Sequence, residues 1–376
     1  MQAIVPTTGR LTRLRAALTG IGLATGLALA LSATAQAQND RVILKNGKAD
    51  KAIRIKSEDL DGVWYAASGG AGNAVIKWNE IDSIQYASGD AYQAALDTLT
   101  SGRAADAAGQ FEKLAGEAEL RPVLKQNVLF HLALADMRLG KNDDALARFK
   151  ELLTGFPKCR YLLPVGSALL SIYIAKNDVA GAAAALDPVL AVAKDASADP
   201  SLQAALGVLR ARLLEEQKKL NDAVSAYEAT VRNPKAEPDV INAAKLGLAR
   251  CAQQNKQLND AETKYRELVK LDAPNTLLAG AWNGLADLAF AQAFDKHDPD
   301  GLRVALLSYM RGIVVYVPGP GESSDETERA LAGASLAAKA IGELEGNAER
   351  KQLYLSRARD FRKTLTDQYP GSRYLK

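Results

Sequence analysis

The chain has 376 residues, 48% of them apolar and 24% charged, a balance too apolar for a disordered protein. Its 47 Lys+Arg and 44 Asp+Glu give a formal charge of +3, but Arg10, Arg13 and Arg15 fall in the first 37 residues, which hold no acid, so the rest carries 44 of each sign. A neutral body argues against nucleic-acid binding, which needs excess Lys and Arg to displace phosphate counterions, and two Cys exclude a disulfide scaffold or a cysteine-rich zinc module.

The three arginines precede an apolar run from Ala16 to Leu31, and Ala35-Gln36-Ala37 supplies a small-x-small cleavage site. That order is the pattern of a secretory signal peptide over residues 1–37. There is no lipobox cysteine after the run and no twin-arginine pair. No later segment is apolar enough to span a bilayer, so the mature chain is expected without an integral membrane segment, outside the cytoplasm and in the periplasm of a Gram-negative cell.

Residues 38–88 alternate with period two. Val42 and Leu44 share a face, Asn46-Gly47 reads as a hairpin turn, and Ile53 and Ile55 follow. A second hairpin runs from Val63-Trp64-Tyr65 through a glycine-rich loop (Gly69, Gly70, Gly72) to Val75-Ile76-Lys77-Trp78, then a helical turn at Asn79-Glu80-Ile81 and a last strand around Ile84-Gln85-Tyr86. Five short strands in so few residues suggest a small all-β barrel, because closure removes edges that such a unit could not protect, and the pattern resembles Sm-like and SH3-like barrels. The loop glycines lack the following helix that a phosphate cradle needs. Trp64, Tyr65, Trp78 and Tyr86 provide either packing or an aromatic binding face.

After Gly89 the spacing becomes helical and recurs. The clearest unit is Leu129-x2-Leu132-Ala133, Gly140 to Ala145, Phe149, Leu152-Leu153 and Phe156-Pro157. This resembles the tetratricopeptide repeat, a helix-turn-helix of 34 residues in which small side chains at positions 8 and 20 let two helices cross and an aromatic at 24 fills the gap to the next unit. Anchoring position 20 at Ala107, Ala145, Ala180, Ala223, Ala261, Ala305 and Ala358 puts Phe111, Phe149, Ala184, Tyr227, Tyr265, Tyr309 and Arg362 at position 24. It puts Ala95, Ala133, Ala168, Ala211 and Ala249 at position 8, with Ala286 in the sixth unit. Phe156-Pro157-Lys158-Cys159-Arg160-Tyr161-Leu162 returns as Tyr369-Pro370-Gly371-Ser372-Arg373-Tyr374-Leu375, an ending similar to that of tetratricopeptide proteins of bacterial envelopes. The fold class expected is therefore mainly α: a solenoid of about seven tetratricopeptide-like units over 89–376, preceded by the β barrel. Excess length at 194–200, 233–238, 295–301 and 317–327 predicts protruding loops.

Little in the sequence points to catalysis. Setting Gly301 as the sixth residue of a calcium loop over Asp295–Gly301 leaves Lys296 and Leu307 at the two essential carboxylate positions, so no metal site is assigned. His131 and Cys159 lack an orienting partner, Cys251 reads as a buried thiol, and a Cys159–Cys251 disulfide would join distant units. Nucleophile-elbow, phosphate-loop and zinc-protease motifs are absent. No cofactor is expected.

Stacked units generate a concave groove lined by the first helix of each, suited to an extended peptide or a protein partner. The resemblance implies that positions 2, 5, 9, 12 and 13 line it: Asn127, Phe130, Leu134, Met137 and Arg138 in unit 2. Arg212 and Glu215 follow in unit 4, Arg250 and Gln253 in unit 5, and Asn283, Asp287 and Phe290 in unit 6. The function expected is a non-enzymatic, extracytoplasmic scaffold for envelope or secreted protein partners. The alternatives are an envelope hydrolase using the solenoid as a platform, and a spacer presenting the β module as the binding unit.

Overall fold

The computed structural model describes residues 39–45, 50–67, 72–194, 199–319 and 323–375. The expected export signal, the Asn46-Gly47 turn and loop glycines Gly69 and Gly70 lie outside the described residues.

Six strands open the described chain: β1 (Asp40–Leu44), β2 (Lys51–Ile53), β3 (Ile55–Glu58), β4 (Gly62–Ala66), β5 (Asn73–Lys77) and β6 (Ile81–Gln85). β1 lies antiparallel between β2 and β6, and β4 between β3 and β5. Only Arg54 separates β2 from β3, so one bent strand feeds both sheets, and Trp78–Glu80 form a single 3-10 turn before β6. The described pairing is thus two three-stranded sheets and not one closed ladder. The core of these sheets is shared with the solenoid: Val42, Ile55, Val63, Ile76 and Ile81 pack in one cluster with Tyr92, Leu99, Phe111 and Val128 of the helices that follow.

Fourteen α-helices follow among the described residues. They are α1 (Asp90–Thr100), α2 (Ala104–Ala115), α3 (Pro122–Arg138), α4 (Asn142–Gly155), α5 (Leu162–Ala175), α6 (Val179–Ala191) and α7 (Pro200–Glu216). The second half comprises α8 (Leu220–Val231), α9 (Pro238–Gln254), α10 (Leu258–Leu268), α11 (Asn275–Asp295), α12 (Pro299–Met310), α13 (Asp325–Leu344) and α14 (Ala348–Gln368). Each packs on its sequence neighbours, and the odd-numbered helices from α5 to α13 also pack on one another in succession. This is the arrangement of a TPR-like solenoid: seven helix hairpins whose first helices form the inner layer.

Starts and stops follow local chemistry. Pro122, Pro200, Pro238 and Pro299 open helices where a missing N–H costs nothing, and the side chains of Asp178, Asp199, Asp298 and Asn347 cap helix N-termini. Between the two helices of six successive units one residue takes the left-handed conformation: Gly102, Gly140, Asn177, Lys218, Lys256 and His297. In each, the following N–H reaches back to a carbonyl in the last turn of the first helix, as Lys141 does to Asp136 and Gln257 to Ala252.

The crossing ladder is present. Ala95, Ala133, Ala211, Ala249 and Ala286 are buried in first helices, and Ala107, Ala145, Ala223, Ala261 and Ala305 in second helices. Unit 3 corrects the expected register: Ala180 and Ala184 are exposed, whereas Ala182 and Leu186 are fully buried. The run Gly181–Ala185 gave no side-chain signal to fix the phase, but Ala182 stands five residues after left-handed Asn177, the same offset as Ala107 from Gly102 and Ala145 from Gly140. In unit 7 Ala358 is buried but Arg362 is exposed, and Leu365 fills the interior instead. The loop expected at 295–301 is a tight turn, because α11 runs to Asp295 and α12 starts at Pro299. Among the described residues no helix is long and apolar enough to cross a membrane.

Candidate functional site

Three tyrosines organise the inner face. The Tyr227 ring on α8 packs against Gly247 of α9, Tyr265 on α10 against Gly284 of α11, and Tyr309 on α12 against Gly333 of α13, each contact so close that a Cβ on the glycine would be driven into the ring. Each hydroxyl turns back to the first helix of its own unit: Tyr227 donates to Glu215 (3.1 Å), Tyr265 to Gln253 (2.8 Å) and Tyr309 to Asp287 (2.5 Å). One side chain therefore joins three helices and fixes the direction of an inner-face acceptor. Burial raises all three phenol pKa values, so the hydroxyls stay protonated as donors.

Two of these acceptors, Glu215 and Gln253, border a cleft of about 400 Å³ where the ends of α7 and α9 face the start of α13. Four arginines line it, Arg212, Arg250, Arg329 and Arg373, with four acids, Glu215, Glu216, Asp325 and Glu326. Every one of those acids is paired. Asp325 accepts from Arg212 (3.1 Å) and Arg373 (3.0 Å), and Glu216 lies 3.6 Å from Arg373. Glu215 meets Arg250 at 3.3 Å and accepts from Gln254 at 2.7 Å, and Glu326 meets Arg329 at 3.4 Å and Arg250 at 3.9 Å. Burial would raise the Asp325 pKa, but Arg373, Arg212, Arg329 and Arg250 together outweigh it and hold the carboxyl below its ordinary value. The cleft is a charge-compensated surface, preorganised for polar recognition.

Of the residues expected in the groove, Arg212, Glu215, Arg250 and Gln253 line this cleft. Asn283 and Asp287 stand behind them. Buried Asn283 donates to the Glu326 carbonyl (2.7 Å) and carboxylate (3.0 Å), and Asp287 is ion-paired to Arg329. Phe290 is half-buried, its ring 5.4 Å from that of Phe294. The unit 2 residues are elsewhere and covered. Asn127 is fully buried and Phe130 nearly so, with the Phe130 ring stacked 3.9 Å from Tyr161. Leu134 and Met137 pack against the neighbouring core, and Arg138 donates to the Leu99 carbonyl at 2.7 Å.

The β module covers the start of α3, where Asn127 donates to Glu58 (3.4 Å) and Tyr86 (3.1 Å). Asp40, fully buried, accepts a two-pronged bond from Arg121 (2.7 and 2.8 Å) and the backbone N–H groups of Ile55 and Ala87. Burial works to raise its pKa, yet Arg121 and those N–H groups leave the carboxyl below the ordinary range. Glu58 is also buried, 3.5 Å from Arg160 and hydrogen-bonded to Tyr86, and here burial prevails and raises its pKa. The Arg160 guanidinium lies over the Trp78 ring (4.9 Å) and Tyr86 bonds Glu58, so both half-buried aromatics are engaged in packing between the β module and the helices. Burial foremost, with Arg160 and Arg138 nearby, lowers His131 to about 4. Both cysteines are buried free thiols, and burial pushes Cys251 up to about 12. Among the described residues no group of His, Cys, Asp and Glu could hold a metal ion.

Asp325, Glu326, Arg329, Arg373 and Tyr374 were not legible as site residues. The first two sit where excess length predicted a loop, and the last two belong to the repeated tail, whose near-literal recurrence was the available signal.

No family model and no curated protein matches the chain. Among solved structures it is similar to a tetratricopeptide repeat protein from Parabacteroides merdae (15% identity, 72% of this chain and 98% of that one, TM-score 0.42). It is also similar to PilW, a type IV pilus biogenesis factor (17%, 66% and 96%, TM-score 0.37), and to the C-terminal part of a TPR repeat-containing protein from Cytophaga hutchinsonii (16%, 70% and 99%, TM-score 0.35). At such low scores these likenesses carry no argument, and the TPR-like fold rests on the helix packing and the alanine ladder.

Proposed function

We propose that the chain is an extracytoplasmic, non-catalytic scaffold that docks protein partners at the inner face of its solenoid. In this reading residues 1–37 are removed on export, residues 38–88 form the β module, and residues 89–376 form the solenoid that receives envelope or secreted proteins. The export step is supported by Arg10, Arg13 and Arg15 ahead of the apolar run and by Ala35-Gln36-Ala37. Docking is supported by one observation above others: side chains from α7, α9 and α13, far apart in sequence, converge on a single polar cleft. Its four acids are each held by arginine, an arrangement that suits recognition by paired charges better than general acid-base chemistry, which needs a carboxylate free to exchange a proton.

A photo-crosslinking side chain placed at Gln254, on the cleft wall, provides the test, with one at exposed Lys150 on α4 as control. In envelope extract the Gln254 position is expected to capture proteins that the Lys150 position does not. Identical capture from both positions would remove the proposal.

A further inference from the structure

The heptad that occurs twice in the sequence also occurs twice in space. In the first copy Tyr161 caps α5, Arg160 lies over the Tyr161 ring (4.6 Å) and is hydrogen-bonded to its hydroxyl, and Arg160 lies 3.5 Å from the carboxylate of Glu58. In the second, Arg373 lies over the Tyr374 ring (4.8 Å), donates to its hydroxyl (2.7 Å) and binds the carboxylates of Asp325 and Glu216. The same Arg-Tyr pair is thus received by a carboxylate cradle at both places.

The surroundings differ. The first pair lies between α4 and α5, with Glu58 and Trp78 of the β module against Arg160. The second follows α14, and its side chains form part of the cleft wall, with the Arg373 side chain as buried as that of Arg160. Arg362 of α14 holds the carbonyls of Tyr374 and Leu375, while Pro370 and Gly371 touch the backbone of Gly140 in the α3–α4 turn. The segment therefore bridges α13, the end of α7 and the second unit.

We propose that the cleft is a receptor for an arginine-tyrosine segment of a partner protein, and that Arg373 and Tyr374 are a built-in occupant which the partner displaces. The inference rests on the scaffold reading and gives its site a ligand chemistry. Asp325 and Glu216 supply the charge for a guanidinium, and the paired ring supplies the cation-π face. A tethered occupant competes at high effective concentration, so an untethered segment of equal chemistry binds the intact chain weakly.

The test is anisotropy of a labelled synthetic peptide with the sequence of residues 367–376, added to the full mature chain and to its Arg373→Ala/Tyr374→Ala variant. The variant is expected to bind at least about tenfold more tightly than the wild type, and the gain is expected to vanish when the arginine of the peptide is replaced by alanine. Equal affinity for the two chains, or binding indifferent to that arginine, would overturn the proposal. Should the variant lose its helical circular dichroism, hydrogen exchange on the wild type decides: saturating peptide should speed exchange at Tyr369 to Leu375, and unchanged exchange overturns it. Peptide binding without any captured envelope protein would remove the scaffold reading alone, whereas capture unaffected by the double substitution would remove the displacement mechanism alone.

Discussion

Arg121 and Asp40 show how single residues hold the β module to the solenoid. Removing the guanidinium leaves a buried, unpaired carboxylate, so Arg121→Ala is expected to destabilise the chain by about 3–5 kcal/mol, measured by urea unfolding. His131 makes a second prediction. Its folded pKa of about 4 lies below its ordinary 6.5, so the unfolded chain takes up the proton first on acidification. Relative to His131→Phe, the wild type should lose stability as the pH falls from about 6.5 to about 4 and match its own plateau above that window. Glu58, whose raised pKa works in the opposite direction, is common to both chains and cancels in the difference. The tyrosine contacts are equally specific. In Gly284→Ala a methyl group meets the buried Tyr265 ring, and overpacking of this kind costs about 1–3 kcal/mol. A melting temperature equal to that of the wild type would contradict the contact.

Helix pairs, more than individual side chains, were readable from the sequence. The reason is steric: positions where two helices cross admit only small residues, so Ala133 with Ala145 and Ala249 with Ala261 recur at fixed separations. The phase failed at Ala180 because alanines on all sides made every register alike, and the left-handed turn that fixes it is a backbone property. At Lys218, Lys256 and His297 that turn carries a side chain where glycine would be less strained. Lys256→Gly is expected to stabilise the chain by about 1 kcal/mol, whereas a loss of stability would mean that the turn is not left-handed in solution. The cleft was far less legible. Arg212 and Asp325 meet across 113 residues of sequence, and no local periodicity reports which turns of a superhelix face one another.

At the scale of the whole molecule, seven hairpins would ordinarily behave as a linear array in which the end units loosen first and the middle is protected on both sides. Here neither end is bare. The β module covers the first hairpins through a shared core, and the Tyr369–Leu375 segment ties the last hairpin back to the second and fourth. With the tail segment seated, the array has something close to a ring's boundary condition, and opening is expected to begin at an internal interface. A weak point inside the array is α6, where Pro188 removes a backbone hydrogen bond inside the helix and Gly181 stands in its first turn. Native-state exchange should accordingly release α6 before α14, reversing the order expected of an open-ended repeat protein.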